Sequence, residues 1–323
     1  METAIKATSV IVRNYNSLFA NRGAYTLQSS RPHPESGRHY YFRPKAKGTG
    51  EELSLTAATI RRHLEGELTI GLYAINPSTQ RSKWVAIDAD YGGAMEDLLK
   101  LQYSLQEEKV EAALEMSRRG GHLWLFMERP ALARECRIYI YNLALRLGVR
   151  IRGAGLAEGI EIFPKHDELR KGEFGNAIRG PLGIHRGANR RYWFYGADYD
   201  LEKQIGYLNR VQKLSEDQLR SFIAGKTMPP EFDRKRPSAD EAVPCVHSSG
   251  REFRILEHVD KVRKVGRNYV TRCPSCADAG QDRSGDNLAV SIDDPRKYIC
   301  WAGCTKEMIR RAVGCPIPVR RSA

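Results

Sequence analysis

Two aspartates, Asp88 and Asp90, close the run Trp84-Val85-Ala86-Ile87-Asp88-Ala89-Asp90, whose apolar residues read as a buried strand. Side chains at i and i+2 of a strand face the same way, roughly 7 Å apart along the backbone. Both carboxylates therefore converge on one place. Beside an apolar strand, unpaired carboxylates suffer desolvation or take up protons, and a hard cation such as Mg²⁺ or Mn²⁺ is the natural remedy. The same residues also suit a strand ending in solvent at an Asp-Ala-Asp-Tyr-Gly-Gly turn. Two further clusters bear on the choice: Ser117-Arg118-Arg119-Gly120-Gly121-His122, and Glu161 in the run Gly159-Ile160-Glu161-Ile162-Phe163. Glycine amides approach phosphates closely, although His122 also reads as a strand histidine satisfied by a neighbour. Three acids, a glycine-rich joint and cations are what phosphoryl or nucleotidyl transfer needs. Two metals roughly 3.5–4 Å apart would activate the attacking hydroxyl and neutralise charge on the α-phosphate and the leaving pyrophosphate.

A second constellation is built from cysteine. Of seven cysteines, Cys136 stands alone in the first 240 residues, and four of the others form Cys273-Pro274-Ser275-Cys276 and Cys300-Trp301-Ala302-Gly303-Cys304. In a reducing compartment such pairs are metal ligands rather than disulfides. Four thiolates satisfy a tetrahedral structural Zn²⁺ and leave no open position for a catalytic water. Cys245 and His247 form a Cys-x-His without a second pair, and Cys315 has no obvious partner. Tyr269, with Arg267 and Arg272, mixes an aromatic with cations as a single-strand binding face does; a packed tyrosine between solvated arginines reads as well.

Elements must bring these residues together. Residues 1–50, an N-terminal extension of the core, hold an apolar stretch Ser9-Val10-Ile11-Val12 and the pair Tyr40-Tyr41 among basic residues. The spacing predicts a helix over 55–64 behind a Ser54 or Thr56 cap, a strand over 68–75, the Asp88 strand and an amphipathic helix over 94–108. Runs 112–117 and 122–127, joined at Gly120-Gly121, predict a hairpin, and 131–147 a core-facing helix. A short strand over 159–163 leads into a Gly-, Lys-, Arg- and His-rich site loop over 165–191, and Tyr192–Tyr195 returns to the sheet. Residues 51–212 make the catalytic domain. Residues 213–250 lose apolar periodicity and read as a linker. Residues 251–323 form a small domain whose strands over 287–292 and 296–300 lie between the cysteine pairs, as in a zinc ribbon, with a C-terminal helix. The expected fold class is α+β, with a mixed or antiparallel sheet flanked by helices.

The ordered motifs resemble those of the archaeo-eukaryotic primase superfamily: a hydrophobic strand ending in Asp-x-Asp, a Ser-x-His-type motif and a third acid after a hydrophobic residue. Leu55–Gly66, Thr69-Ile70-Gly71-Leu72-Tyr73 and Gly175-Asn176-Ala177-Ile178-Arg179-Gly180-Pro181-Leu182-Gly183 are similar to the primase-polymerase branch found in mobile-element conflict systems and CRISPR-associated proteins. The resemblance covers about residues 50–200. It implies that Asp88, Asp90 and Glu161 bind catalytic Mg²⁺ or Mn²⁺, with Glu158 and Asp167 nearby. It places Ser117, Arg119, Gly121 and His122 on the nucleotide's triphosphate; Lys165 and Arg179 are further phosphate-binding candidates that also read as solvated surface cations, and His166, His185 and Arg186 share the basic loop. The cysteine module resembles the zinc-binding domain of bacterial and phage primases, which engages template DNA; there one ligand is often His where Cys276 stands here.

Charge agrees with that implication. A formal net charge of +13 over 323 residues points to a polyanionic partner, nucleic acid first. No apolar run approaches the ~18 residues of a spanning helix, and Met1–Lys6 has no secretory pattern, so a cytoplasmic protein without a membrane partner is expected. The expected activity is template-directed primer synthesis on single-stranded DNA from NTPs or dNTPs. A repair or end-joining polymerase that only extends chains, and a non-catalytic replication initiator or regulator, are the alternatives. No Gly-x4-Gly-Lys-Ser/Thr loop is present, so a helicase partner would be encoded separately.

Overall fold

Thr8 caps the first helix by accepting from the Ile11 amide, and the apolar stretch behind it winds into that helix because Ile11, Val12, Tyr15, Leu18 and Phe19 fall on one face. Of the β-branched run that obscures this helix in the sequence, Ile11 and Val12 join the buried stripe while Val10 stays exposed. The protein is described here from a computed structural model covering residues 6–34, 37–153, 156, 158–170, 172–233, 253–279, 282 and 284–315. It divides into two units, one of residues 1–152 with 158–229 and one of residues 153–157 with 230–323. Cys245 and His247 lie outside the described residues.

In the first unit α1 (Ser9–Phe19) is followed by β1 (Tyr25–Gln28), β2 (Tyr41–Phe42), α2 (Ala57–Leu64), β3 (Ile70–Tyr73), β4 (Arg81–Ala89), α3 (Ala94–Glu107), β5 (Ala113–Met116) and β6 (Gly121–Leu132). Next come α4 (Ala133–Arg146), β7 (Glu161–Phe163), β8 (Ala177–Arg179), β9 (Ile184–His185), β10 (Arg190–Arg191), α5 (Leu201–Arg210) and α6 (Glu216–Ile223). Two four-stranded antiparallel sheets result, in the orders β5-β6-β4-β7 and β2-β1-β3-β8, while β9 and β10 pair with each other. The architecture is α+β.

The first sheet is buried on both faces. Trp84, Val85, Ala86 and Ile87 of its central strand are each 1% exposed or less, as an apolar run without alternation requires. On one face Phe19 of α1 packs edge-on against Trp124 and Phe126, with ring centroids 5.3 and 5.5 Å away. The Trp84 indole N–H donates to the Phe19 carbonyl at 2.9 Å. The N-terminal residues are therefore part of the core.

Two expectations change. Residues 213–223, read as the start of a linker, belong to the first unit: Leu214 bridges to Met127, a Ser215/Gln218 capping box opens α6, and Phe222 stacks on Tyr139 at 5.1 Å. Leu214 and Leu219 are the buried apolar residues of this segment, too few to show as a period, and the ion pairs Arg81–Glu216 and Arg220–Glu135 add to the contact. The segment 165–191, read as a loop, contains β8, whose three residues pair with β3. Tyr192–Tyr195 runs beside β5, where the Met116 amide donates to the Trp193 carbonyl and the Tyr195 amide to the Leu114 carbonyl, each at 2.9 Å.

The second unit holds a 3-10 turn, Ile255–His258, then β11 (Arg263–Val265), β12 (Asn268–Thr271), α7 (Pro274–Asp278), β13 (Leu288–Ser291), β14 (Tyr298–Cys300) and α8 (Lys306–Ala312). Its antiparallel sheet runs β11-β12-β13-β14. None of the described helices is long and apolar enough to cross a membrane.

Candidate active site and cysteine cluster

Register brings the acidic motifs together. Asp88 on β4 stands directly opposite His122 on β6 and directly opposite Glu161 on β7, while His122 stands opposite Glu115 on β5. Opposed residues share a face of the sheet, so Glu115, His122, Asp88 and Glu161 form one row across four strands. The same face carries Trp84, Trp124 and Phe126 further down the strands, so the row sits at the polar end of an aromatic core.

Glu115 is the residue that sequence reasoning missed. It is 0% exposed and accepts from Arg179 Nη2 at 2.6 Å, His122 Nδ1 at 2.7 Å and Trp124 Nε1 at 3.0 Å. Burial alone would raise its pKa, but Arg179 and His122 outweigh that and hold it below the usual carboxylate range. Asp88 is likewise opposed by burial and held low by His122, Lys165 and Arg179. Burial disfavours charge on His122 too, yet Glu115 and Asp88 push its pKa up to about 9. At neutral pH His122 is therefore an imidazolium, with both ring nitrogens donors. Its Nε2 lies 3.4 Å from Asp88 Oδ1, an ion-pair distance, and that buried oxygen has no hydrogen-bond partner among the described residues.

Asp90 lies just past the strand end, with Arg119 Nη2 2.5 Å from Oδ2 and the Ser117 hydroxyl donating to Oδ1 at 3.3 Å. Ser117 in turn accepts from the Gly120 amide at 3.2 Å, so the joint between β5 and β6 closes onto Asp90. Gly120 is required there: a Cβ would stand 2.1 Å from the Ala89 carbonyl oxygen. Gly121 lies inside the ladder opposite Ala89 and Met116, where its small size admits the Glu115 carbonyl and Leu98. Glu161 is paired with both Arg152 and Lys165, and the Lys165 ammonium lies 4.6 Å from the centre of the Phe163 ring.

Arg179 does not occupy the place expected of a phosphate contact. It is 8% exposed, donating to Glu115 and to the Gly180 carbonyl at 3.1 Å. β8 turns its side chain inward against the charged row. His166 lies 3.0 Å from Asn176 Oδ1, His185 accepts from the Ala188 amide, Arg186 donates to the Glu67 carbonyl, and Asp167 pairs with Arg137. These four are engaged elsewhere than in the row.

Asp88, Asp90 and Glu161 supply donors of the kind that divalent metals take. The donors are carboxylate oxygens, which hard cations prefer, and the unpartnered buried oxygen of Asp88 is the kind of atom that a cation satisfies. Asp90 is paired with Arg119, and Glu161 with Arg152 and Lys165. The cysteine quartet fits more tightly. The four sulfurs lie within 4.8 Å of one another, with Cys276 Sγ 3.5 Å from Cys300 Sγ and 3.4 Å from Cys304 Sγ. A tetrahedron of 2.3 Å Zn–S bonds has edges of about 3.8 Å. Cys273 ends the approach to α7, Cys300 ends β14, and Asp282 orders the loop between by accepting from the Cys273 and Asn287 amides at 2.7 and 3.2 Å. Among the described residues this is the one such compact cluster of Cys, His, Asp and Glu.

The family model of the archaeo-eukaryotic primase domain of TOTE conflict systems matches residues 18–222. Among solved structures, the chain is similar to the polymerase domain of ligase D from Mycobacterium tuberculosis in complex with DNA. That likeness has 12% identity and a TM-score of 0.34, over 68% of this chain and 89% of that one. It is also similar to the catalytic domain of primase Repb' in complex with initiator DNA, with 10% identity and a TM-score of 0.32, over 67% of this chain and 95% of that one. No curated protein matches the sequence.

Proposed function

The chain belongs to the archaeo-eukaryotic primase family of TOTE conflict systems, and from that premise we propose that it is a template-directed nucleotidyltransferase that starts chains on single-stranded DNA. The observation that carries this reading is the row Glu161–Asp88–His122, with Asp90 beside it. A site that only bound nucleic acid would gain nothing from three carboxylates facing polyphosphate.

Asp88, Asp90 and Glu161 are the residues that would hold Mg²⁺ or Mn²⁺. Such metals, when bound, increase the nucleophilicity of a 3′-hydroxyl and offset charge on the triphosphate. The chain's own groups do the rest. His122, held from behind by Glu115, has its Nε2 beside Asp88 and would turn that donor to a phosphate oxygen once a metal takes the Asp88 carboxylate. Arg119 is a long cation at the rim and Lys165 a half-buried one, and each would follow phosphate once a metal takes its carboxylate. Arg179 acts through Glu115 as a positioning residue. In the transfer, the 3′-oxygen forms a bond to the α-phosphorus as the bond to pyrophosphate breaks, and the hydroxyl proton leaves to solvent or base. The four-cysteine ribbon favours initiation, since a separate module can hold the template or the first nucleotide while the second is joined.

A primer-synthesis assay on unprimed single-stranded DNA tests the reading, with NTP and dNTP sets and with Mg²⁺ or Mn²⁺. Asp88→Asn and Asp90→Asn should reduce product to background. Full activity in either variant overturns the mechanism, and product from primed templates only would make the protein an extending polymerase.

A further inference from the structure

Tyr40 and strand β2 present three consecutive exposed rings at a sheet edge: Tyr40, Tyr41 and Phe42 are 51%, 41% and 42% exposed. Such a patch carries a function more often than a single exposed ring does. Tyr41 opposes Gln28, Thr26 opposes Gly71, and Gly71 opposes Arg179. By strand alternation Tyr41, Gly71 and Arg179 share one face, the face from which Arg179 reaches Glu115 of the charged row. Gly71 leaves room for this arrangement, because a Cβ there would stand 3.3 Å from Tyr41 Cδ1 and 2.2 Å from Thr26 Oγ1. Burial pushes the pKa of the Tyr41 hydroxyl up to about 12 against the pull of Arg179, while the residue as a whole is 41% exposed. Part of its ring stays open.

Tyr40 and Phe42 project to the other side of the edge, their centroids 6.0 Å apart. Between Gly37 and Gly50 the chain carries Arg38, Arg43, Lys45 and Lys47 and no acidic residue. Glu52, just beyond, pairs with Arg43 at 2.7 Å.

We propose that this edge is where single-stranded DNA approaches the charged row, bases stacking on Tyr40 and Phe42 on one side of the edge and on Tyr41 on the other. The chemistry selects that occupant. Unpaired bases offer free π-faces, which duplex does not, and the neighbouring lysines and arginines answer a phosphate backbone rather than an apolar peptide. The inference rests on the reading above for the strand's role as template.

Fluorescence anisotropy of a labelled oligo(dT) with the full chain, without nucleotide or metal, tests it. Tyr41→Ala and the Tyr40→Ala/Phe42→Ala pair should each weaken binding by roughly 5- to 150-fold per ring lost. Tyr41→Phe should bind as the wild type does. Circular dichroism and unchanged thermal unfolding identify variants that remain folded, and Lys45→Gln/Lys47→Gln should flatten the salt dependence in a chain with all rings intact. Wild-type affinity in both ring variants overturns the proposal. So does a Tyr41→Ala protein that keeps its oligonucleotide affinity but needs more nucleotide for half-maximal rate, and so does tighter binding of the matching RNA. Asp88→Asn separates this proposal from the catalytic one: it should abolish synthesis and keep DNA affinity. If that variant stays active while the ring variants lose DNA, the catalytic reading fails and the stacking edge stands.

Discussion

Replacing Glu115 by glutamine exposes the charge balance of the site. Glutamine keeps the shape, removes the negative charge and puts an NH₂ donor where a carboxylate oxygen accepts from Arg179, or from His122 and Trp124. His122 can answer by releasing its proton. Arg179 cannot, and at 8% exposure it has little access to water. Two unit charges at about 4 Å and an effective dielectric constant near 20 interact by about 4 kcal/mol, and breaking one partner of a buried pair typically costs about 3–5 kcal/mol. For a domain of this size each kcal/mol lowers Tm by about 2–4 °C, so Glu115→Gln should lose about 6–20 °C. Differential scanning calorimetry on the metal-free protein measures this. Arg179→Met and the double variant close a cycle whose coupling should reach about 2–3 kcal/mol. In NMR titrations the His122 pKa should fall from about 9, since Asp88 alone would remain to hold its proton. A Glu115→Gln protein within about 1 kcal/mol of the wild type, or an additive cycle, would refute the reasoning.

Three further outcomes are expected. Because the folded pKa of His122 is raised to about 9 from an unfolded value near 6.5, its contribution is full below about 6.5 and is lost as pH rises through about 9, by about 3 kcal/mol. Glu115 and Asp88, held low, contribute above the usual carboxylate range and lose that contribution as pH falls through their lowered values. Urea midpoints across this range should show both limbs, and His122→Gln should remove the alkaline one. Gly120→Ala would press a methyl on the Ala89 carbonyl, 2.1 Å away, and on Ala94 Cβ, 2.8 Å away; it should cost about 1–3 kcal/mol and reduce primer synthesis even where the chain stays folded, so unchanged activity and midpoint would count against the close approach. Metal analysis should find one zinc bound by the quartet, and Co²⁺ substitution should give thiolate charge-transfer bands that Cys273→Ser diminishes and Cys315→Ser, outside the quartet, leaves intact. Chelation should unfold the second unit, whose core includes Cys273, Cys276 and Cys300.

The parts legible in the sequence are those whose signal is local. Apolar runs bounded by glycines, aspartates and proline located β4, β5, β6 and β7, and the two close cysteine pairs located the ribbon. The meeting of Asp88, His122 and Glu161 follows once those strands share a sheet, because each acid or histidine ends its strand at the same height. Strand order is not local, and there the reading ran out. Glu115 sits among Ala113, Leu114 and Met116, and a lone carboxylate in such a run reads as an outward-facing side chain. Alternation argues otherwise: Ala113 and Glu115 share a face, Ala113 is fully buried, and its neighbour across the strand is Trp124.

Arg179 is placed by an equally non-local contact. Flanked by Gly175, Gly180 and Gly183, it looked like a loop cation able to meet phosphate. It is instead the third residue of a short strand, and its partner lies 64 positions earlier. Neither Glu115 nor Arg179 shows its role alone, because each is the other's partner from a distant element. A charge inside a strand flanked by buried positions is better read as a demand for a partner of opposite sign in another element. Here two such demands stand in one chain, and the pair that satisfies them connects the sheet carrying Asp88 and His122 to the sheet carrying Tyr41. These two charges therefore hold the row proposed to be catalytic against the edge proposed to receive the template.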